Sequence, residues 1–498
     1  MGISVDTAEG RRGARLGGDA RTVIALSAVT ALGAVLRFAT LDEQSFWLDE
    51  LVTVSILTQS FGEMIGEIPK NEATPYLYYV VAWPWTRIFG FGEVGLRSLS
   101  AIFGAATVPV AFGAGAALVS RRTGLIAAAL VSVSPFLVWY AQEARSYALF
   151  ALLAGLTLLF FGRALCKEKG SLAGWAVTSS LALATHYFAL FLVVPEAVWL
   201  LARLRPRRRV WVASLLSAVV LLAHAPLMLE QRDNAEAVAG SRLVSRAAGI
   251  SKDLVVGYSL PAEVAGSLAA AALLVVGLVL LGIRTPLAER RGALIAGVLG
   301  AASVLAPVVL ALVGIDFVIA RNAILAVVPG AVCVAAGYAA SRLGLVAATA
   351  LCVLSAMIVL STSLDTRYGR TDWRGAAERL SPAALDRAIV VTPFMSRTLW
   401  RPYLPALQEP ADDRARVGEI VVVGLATEGG FSGGAVRPSA TEPGSPPRGF
   451  RLSSVEQAPT VVLVRYRAPS PTFVSTEALA RLRLSSQQPG VLLQPAAG

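Results

Sequence analysis

Long apolar stretches recur along residues 22–363 and are separated by short polar turns. Several run for about 18 residues or more with few charges, the length that a helix needs to cross a bilayer core about 30 Å thick. The pattern predicts eleven transmembrane helices. Their expected bounds are residues 22–41, 96–119, 123–140, 146–165, 171–187, 188–203, 210–229, 263–283, 292–313, 321–340 and 343–363.

The turns between these stretches carry an asymmetric charge. Counted from a cytoplasmic N-terminus, every second turn is basic, as the positive-inside rule requires of cytoplasmic turns. These turns contain Arg121–Arg122, Lys167–Lys169, Arg203–Arg209, Arg284–Arg291 and Arg342. The alternation predicts a cytoplasmic basic tail at residues 1–21 and an outer C-terminus. The first apolar run is longer than the core of a signal peptide, so we expect it to be retained as a span.

The predicted first outer loop, residues 42–95, contains a further apolar segment, Thr74–Gly90. Counting this segment as a full span would place the basic turns outside, so we expect a juxtamembrane or re-entrant helix. The interruption by Pro84 and the neighbouring tryptophans, Trp83 and Trp85, are typical of a helix at the membrane interface.

The chain after residue 363 has the composition of a soluble domain. Residues 373–380 form an amphipathic helix pattern, and apolar runs at residues 388–391, 419–423 and 460–464 are typical of buried strands. A Gly/Ser/Pro-rich stretch at residues 429–449 indicates a flexible loop. The sequence therefore predicts an α-helical polytopic membrane protein. Its domains are a transmembrane part, residues 22–363 with the loop 42–95, and a small extracytoplasmic α/β domain, residues 364–498.

Composition agrees with a membrane protein and excludes several other classes. Hydrophobic residues make up 55% of the chain and charged residues 15%, whereas soluble domains carry about 25% charged residues. The net charge of +11 is explained by basic cytoplasmic turns, and no nucleic-acid partner is expected. The three cysteines lie in or beside apolar spans, so no disulfide framework is expected. With two histidines and no paired-cysteine motif, any metal ion would be held by carboxylates.

Two adjacent carboxylates, Asp49 and Glu50, follow the first span directly. Adjacent side chains on a helix diverge by about 100°, so we expect the two acids to serve different purposes. One would face a cavity while the other caps the helix or forms an ion pair. The alternative is that both acids only stabilise the N-terminus of an interfacial helix, residues 48–57, through its dipole.

A second polar group lies in the short turn between two predicted spans, where Glu143 and Arg145 precede Tyr147. Charges this close to hydrocarbon are costly unless they are paired or used in function. Arg145 is therefore a candidate for binding an anionic substrate. The alternative is an ion pair of Glu143 with Arg145 or Arg97 that holds helix ends together.

Three further candidates lie in the predicted outer layer. His186 is at another outer turn, where a lone histidine commonly serves as an interfacial hydrogen-bonding residue. Glu72 is a possible companion of the acidic pair, although a lone glutamate is more often a solvated surface acid. Arg321 begins the tenth predicted span, where it would bind an anion, extend toward the interface or pair with Asp316.

This combination of carboxylates, arginines and aromatic residues suits a substrate that is half lipid and half polar. A polyprenyl-phosphate sugar would keep its tail in the membrane lipid, bind arginine through its phosphate and direct its sugar toward the carboxylates. Attack by an acceptor hydroxyl needs a general base, for which a carboxylate is suitable. Positive charge from Arg145 or Arg321 would stabilise the departing phosphate.

Several motifs together resemble the GT-C superfamily of membrane glycosyltransferases. They are Trp47-Leu48-Asp49-Glu50, Thr74-Pro75-Tyr76-Leu77-Tyr78-Tyr79, Leu96-Arg97-Ser98-Leu99-Ser100, Ser134-Pro135, Gln142-Glu143-Ala144-Arg145-Ser146-Tyr147 and Asp372-Trp373-Arg374-Gly375-Ala376-Ala377. The resemblance covers residues 22–390 and is to the glycosyltransferase family 39 branch, which includes protein O-mannosyltransferases and the lipid A aminoarabinose transferase.

The resemblance implies a GT-C fold, a polyprenyl-phosphate donor, inversion at the sugar and an active site at the outer face of the cell membrane. It puts the catalytic carboxylate on Asp49, with Glu50 beside it. The sugar would be mannose or another hexose or pentose, and the acceptor a glycan, lipid or protein. No organic cofactor is expected. A divalent cation, if one is required, would be bound by Asp49, Glu50 or Glu143.

The sequence departs from the family pattern at two places. Thr74-Pro75-Tyr76 replaces a common His-Pro-Pro, and Arg321-Asn322 replaces a common Arg-Tyr, which leaves the acceptor and the metal requirement open. The competing class is a transporter or lipid flippase, and a non-catalytic membrane scaffold is a third. Transporters tend to place ionisable groups near the bilayer midplane and to have repeated halves. In this sequence few charges lie within the spans, the polar groups of the candidate site gather at the outer rim, and the halves do not match.

Overall fold

The computed structural model describes residues 6–231, 243–380, 383–392, 394–425, 445–458, 460–482, 484 and 488–496. Contacts divide the chain into two units. The helical unit comprises Met1–Leu41, Ile56–Gly257 and Ala262–Leu360. The sheet unit comprises Asp42–Ser55, Tyr258–Pro261 and Ser361–Gly498. This grouping differs from the domain bounds expected from the sequence, because the start of the loop 42–95 joins the C-terminal unit.

Helices dominate the described chain. Their bounds are α1 Asp6–Phe38, α2 Leu48–Leu57, α3 Phe61–Asn71, α4 Leu77–Phe89, α5 Glu93–Leu118, α6 Arg121–Val133, α7 Pro135–Ala141, α8 Tyr147–Leu165, α9 Ser171–Thr185, α10 Leu190–Arg203, α11 Arg207–Ala223, α12 Ala225–Glu230, α13 Leu243–Val256, α14 Glu263–Ile283, α15 Leu287–Leu312, α16 Val327–Ala339, α17 Arg342–Leu364, α18 Trp373–Leu380 and α19 Thr476–Ala480. Short 3-10 helices cover Tyr187–Ala189, Ala320–Ala326 and Phe394–Trp400.

Seven helices of the described chain are long and apolar enough to cross a membrane, and the bent pair of α6 and α7 would make an eighth. The seven are Ala20–Phe38, Glu93–Leu118, Tyr147–Leu165, Glu263–Ile283, Leu287–Leu312, Ala320–Ala339 and Arg342–Leu364. The expected multi-pass helical membrane protein is thus confirmed. The other three expected spans, at residues 171–187, 188–203 and 210–229, overlap α9, α10 and α11, whose 15, 14 and 17 residues fall below 18.

The segment expected to be juxtamembrane or re-entrant contains α4, which has 13 residues. At 1.5 Å per residue it is about 20 Å long, which is too short for a bilayer core. Trp83 donates its indole N–H to the carbonyl of Gln59 at 3.1 Å, and the Arg87 guanidinium lies 3.9 Å from the Trp83 ring centroid.

Close helix packing in the helical unit depends on small residues. Helix α5 packs against α1, α6 and α8, and α16 packs against α14 and α15. A Cβ atom on Gly337 of α16 would lie 1.9 Å from the carbonyl oxygen of Gly277 on α14. Any side chain there would force the two backbones apart, so the contact requires glycine.

A buried arginine supplies hydrogen bonds at an interruption between two helices. Helices α6 and α7 meet at a 58° bend, where Pro135 has no N–H to donate to the carbonyl of Val131. Arg37 of α1 is fully buried and donates to Val131 at 3.0 Å, Ser132 at 2.8 Å and Gly33 at 2.8 Å. The planar guanidinium fork thus satisfies carbonyl groups that the break leaves without helical partners.

A buried glutamate links three helices in the same unit. Glu196 of α10 accepts a hydrogen bond from the Trp175 indole of α9 at 2.8 Å and from the Thr157 hydroxyl of α8 at 3.5 Å. Its side chain has no exposed surface. Polar contacts of this kind fix helices against each other where no water can replace them.

The sheet unit contains five strands in the order β3-β4-β2-β1-β5. Their bounds are β1 Arg387–Thr392, β2 Arg414–Leu425, β3 Arg451–Gln457, β4 Val461–Ser475 and β5 Gly490–Gln494. The β1–β2 pair is parallel and the other pairs are antiparallel. The expected small α/β domain is confirmed, with α18 at the predicted residues. The predicted loop at residues 429–449 lies largely outside the described residues.

Alternate residues of the central strands enter two apolar layers. Ile389 and Val421 pack in one layer with Trp373 and Trp400. Val422 lies in the opposite layer, with residues from β4 and α19. Both faces of the central strands are therefore covered, which explains their nearly continuous apolar sequence.

We predict that Arg37→Lys lowers the free energy of unfolding by about 1–3 kcal/mol, the cost of leaving a buried carbonyl without its hydrogen bond. The charge is unchanged, but a single ammonium group cannot replace the three-way guanidinium contact. Thermal or chemical unfolding in detergent measures the effect. Arg21→Lys, at an exposed position of α1, is the control. Equal stability of the two variants would contradict the role given to Arg37.

Candidate active site

The acidic pair lies on the first turn of α2. The helix has the bounds that the sequence predicts, Leu48–Leu57, and Asp49 and Glu50 belong to its portion in the sheet unit. Leu48 and Leu51 pack against the apolar layer that contains Trp373. The sheet unit therefore fixes the position of the acids.

The two acids have different surroundings, as the helical geometry predicts. Glu50 has no exposed surface, and its carboxylate accepts a hydrogen bond from the backbone N–H of Trp47 at 3.4 Å. This contact is the carboxylate half of a capping box. The same carboxylate lies 3.9 Å from the guanidinium of buried Arg370, which is centred 5.5 Å from the Trp47 ring. Asp49 is half-buried, and its backbone carbonyl accepts from Thr53 at 3.2 Å.

In the helical unit, Arg145 forms a bidentate ion pair with Glu72. Its second terminal nitrogen lies 2.8 Å from one carboxylate oxygen, and its first contacts the other oxygen. Tyr79 donates its hydroxyl to Glu72 and lies 3.2 Å from Arg145. Glu72 and Arg145 are 2% and 8% exposed, so Glu72 is not the solvated surface acid considered in the sequence analysis.

The turn around Glu143 is also buried. Glu143 has no exposed surface, and its carbonyl accepts from the backbone N–H of Arg145 at 2.8 Å. Arg97 is 1% exposed and donates to the carbonyl of Leu41 at 2.8 Å. Glu72 is thus a carboxylate partner of Arg145 that the sequence pattern does not suggest.

An aromatic group surrounds His186 in the helical unit. The imidazole stacks on Phe150 at 4.7 Å between centroids, with 9° between the ring planes. Tyr147 lies 6.1 Å from the same ring. The backbone N–H of Phe188 donates to the Nδ1 atom of His186 at 3.2 Å, so this nitrogen is the unprotonated one. His186 is thus a buried residue with a hydrogen bond to the protein backbone.

Arg321 lies next to this aromatic group. Its guanidinium is half-buried and is centred 5.8 Å from the Tyr147 ring, and its charge and that of Arg145 both act on His186. Asp316 is instead bound by Arg246, at 3.0 Å for one of two contacts. Hydrogen bonds from Arg246 hold the pKa of Asp316 below its ordinary value.

The structure thus brings together five of the predicted residues in the helical unit. They are Glu72, Arg145, Tyr147, His186 and Arg321. Three residues that bind these or other acidic candidates were not predicted from the sequence. They are Tyr79, Arg246 and Arg370. For two of them the sequence motifs could have pointed to a role. Tyr79 lies in the Thr74–Tyr79 motif, and Arg370 lies two residues before the Asp372–Ala377 motif.

Metal binding was expected only through carboxylates. Within the described residues, no three His, Cys, Asp or Glu side chains are grouped so as to hold a metal ion. Asp49 and Glu50 as a pair, and Glu143 by itself, remain the predicted ligands if a cation is required.

The chain is similar to one family model and to several solved structures. A family model described as dolichyl-phosphate-mannose-protein mannosyltransferase matches residues 73–229, about a third of the chain. The structure of ArnT from Cupriavidus metallidurans bound to undecaprenyl phosphate is similar over 88% of this chain and 97% of that chain, with 15% identity and a TM-score of 0.50. The chain therefore has the GT-C fold that the motifs predict.

Two further structures match with lower TM-scores. ArnT from Cupriavidus metallidurans in the apo state has 16% identity and a TM-score of 0.46, covering 65% of this chain and 60% of that chain. The archaeal oligosaccharyltransferase AglB from Archaeoglobus fulgidus, in complex with an inhibitory peptide and a dolichol-phosphate, has 12% identity and a TM-score of 0.45, covering 72% and 57%. The chain spans about three fifths of the length of these two structures. A search of curated proteins found no match.

We predict that Glu72→Ala lowers the free energy of unfolding by about 3–5 kcal/mol, because it removes the carboxylate that pairs with a buried arginine. Glu67→Ala is the matched control, since Glu67 forms an exposed pair with Lys70 in α3 and such pairs contribute about 0–1 kcal/mol. Chemical unfolding of both variants in detergent gives the comparison. If the Glu72 variant were as stable as the Glu67 variant, the ion pair would not hold this region together.

Proposed function

We propose that the protein is a membrane glycosyltransferase that moves a sugar from a polyprenyl-phosphate donor to an acceptor hydroxyl. The GT-C fold and the family match support this class. The observation that carries the proposal is the division of roles in the acidic pair. Glu50 is enclosed and occupied by the helix cap and Arg370, while Asp49 remains half-buried on the same turn.

In this proposal Asp49 is the general base. Its carboxylate takes the proton of the acceptor hydroxyl as the oxygen attacks the anomeric carbon. The bond from that carbon to the phosphate oxygen breaks, and the polyprenyl phosphate leaves with the electron pair. A single displacement of this kind inverts the anomeric configuration. A base of this type contributes about 100- to 10,000-fold to the rate.

Arg145 and Arg321 are the proposed partners of the donor phosphate. Arg145 is held in place by Glu72 and Tyr79, and Arg321 lies beside Tyr147 and His186. Guanidinium groups that are already oriented stabilise negative charge on a leaving phosphate without further reorganisation. The ArnT structure that shares the fold was solved with undecaprenyl phosphate, which supports a polyprenyl phosphate as the lipid carrier.

Mannose is the sugar that we propose first, because the matching family model describes a mannosyltransferase. Other hexoses or pentoses are the alternatives. The acceptor belongs to one of three classes, a glycan, a lipid or a protein, and the reaction serves the cell envelope. If the reaction requires a divalent cation, we propose that the carboxylates bind it, and the proposed reaction uses no organic cofactor.

The proposed orientation has the N-terminus in the cytoplasm and the sheet unit outside. It is supported by the basic turns, provided that the bent pair of α6 and α7 and each of α9, α10 and α11 cross the membrane like the seven longer helices, which gives the eleven spans expected from the sequence. The active site would then lie at the outer face, where a polyprenyl-phosphate sugar can present its headgroup.

The competing transporter or flippase has less support. The buried ionisable residues Arg37 and Glu196 are engaged by backbone carbonyls and by Trp175 and Thr157. These contacts join helices to one another, whereas a transport pathway would direct ionisable groups toward a cavity for the solute.

We predict that Asp49→Asn abolishes transfer, lowering turnover by about 100- to 10,000-fold, because the amide keeps the side-chain shape without its basicity. Donor binding and thermal stability should be nearly unchanged. Turnover with a synthetic polyprenyl-phosphate sugar, measured together with donor binding, gives the test.

Glu50→Gln is the matched control for this prediction. Glutamine keeps an oxygen that can accept from the Trp47 N–H, so we expect a smaller loss of activity. Near-normal turnover by the Asp49 variant would contradict the assignment. An inactive but folded Glu50 variant beside an active Asp49 variant would transfer the role of base to Glu50.

A further inference from the structure

The segment that carries the acidic pair is bound by the end of the last apolar helix, Arg342–Leu364, and by the chain that follows it. Gln44 donates its side-chain amide to the carbonyl of Thr362 at 3.2 Å and accepts from the backbone N–H of Arg370 at 3.2 Å. A Cβ atom on Gly369 would lie 3.1 Å from the Gln44 amide nitrogen. Gln44 therefore brings the two chain segments close together at Thr362 and again at Gly369 and Arg370.

The contacts continue after Arg370. The Ser45 hydroxyl donates to the carbonyl of Thr371 at 3.0 Å and accepts from the N–H of Trp373 at 2.9 Å. Arg374 donates to the carbonyl of Glu43 at 3.3 Å. The Asp372 carboxylate accepts from the N–H of Gly375 at 2.8 Å and so stabilises the first turn of α18. This explains the Asp-Trp-Arg-Gly motif, whose residues hold the acidic segment in place.

Arg370 is the residue of this region that faces the acidic pair itself. Its side chain is 6% exposed, and Glu50 opposite it has no exposed side-chain surface. The guanidinium lies over the Trp47 ring, and the Trp47 N–H is bound by Glu50. Arg370 thus contacts both groups that define the start of α2. Removing it would leave a carboxylate buried without this cation, which is costly.

We propose that Arg370 is a positioning residue for the transfer reaction, which orients Asp49 by fixing Glu50 and Trp47 in the first turn of α2. The proposal rests on the proposed function, in which Asp49 is the base. Asp49 and Glu50 are consecutive residues of one helical turn, so a movement of Glu50 toward solvent rotates Asp49 with it. A displacement of about 1 Å at a reacting group costs about 100-fold in rate.

The chain offers a matched control, Arg367. This residue lies three positions before Arg370, pairs with Asp365 and lies 5.8 Å from the Tyr368 ring, but its side chain is 68% exposed. It therefore has the same kinds of contact without a link to the acidic segment.

The test compares turnover, KM for the donor and backbone hydrogen exchange of residues 46–53 in wild type, Arg370→Ala and Arg367→Ala. We expect Arg370→Ala to lower kcat about 10- to 100-fold, to change the donor KM by less than about twofold and to speed exchange. Arg370→Lys should recover part of kcat, because it restores the charge but not the planar contact with Trp47. Arg367→Ala should behave like wild type.

A double variant tests whether Arg370 acts through Glu50. Glu50→Gln added to Arg370→Ala removes the buried charge that has lost its cation, so we expect part of the lost kcat to return. An equal loss in the single and double variants would overturn this route of action.

Three outcomes separate the proposal from the proposed function. Unchanged exchange in Arg370→Ala would show that Arg370 does not hold the segment, and the proposal would be wrong. Faster exchange with normal kcat would show a purely structural residue, which also overturns it. Absence of transfer by wild-type protein would overturn the proposed function and with it the positioning role, while the exchange data would still show whether the segment is held.

Discussion

The cost of a polar group away from water is the constraint on which the helical unit depends. Pro135 breaks a helix, and the exposed carbonyls are satisfied by Arg37 from another helix. Glu196 is buried among helices and is satisfied by Trp175. Arg37 and Glu196 are thus each hydrogen-bonded to a neighbouring helix. The same requirement places Glu72 opposite Arg145, where an ion pair becomes part of the candidate site.

In the sheet unit, the buried member of the acidic pair also has polar partners. Glu50 is buried, yet it has a backbone donor from Trp47 and the nearby charge of Arg370. Side chains of the segment before α2 donate hydrogen bonds to backbone carbonyls at the end of α17 and in the chain that follows it. The C-terminal part, although it has the composition of a soluble domain, therefore contains residues that contact the segment carrying the acidic pair.

The sequence predicted what local patterns determine. Apolar length predicted the long spans, and helical divergence predicted different surroundings for Asp49 and Glu50. Pairings between distant residues were not predictable, because nothing local links Glu72 to Arg145 or Glu50 to Arg370. Strand β3 was missed because it is an exposed edge strand without an apolar run. Helices α9, α10 and α11 are shorter than the spans expected from the sequence, because turns and 3-10 helix take up part of each apolar stretch.

The central claim is transfer of a sugar from a lipid phosphate, and its most direct test uses the purified wild-type protein. A panel of radiolabelled polyprenyl-phosphate sugars, covering mannose, other hexoses and pentoses, is incubated with the protein and with glycan, lipid and protein acceptors. The account predicts that at least one donor gives labelled acceptor together with released polyprenyl phosphate. Folded protein that transfers label from none of the donors would contradict it.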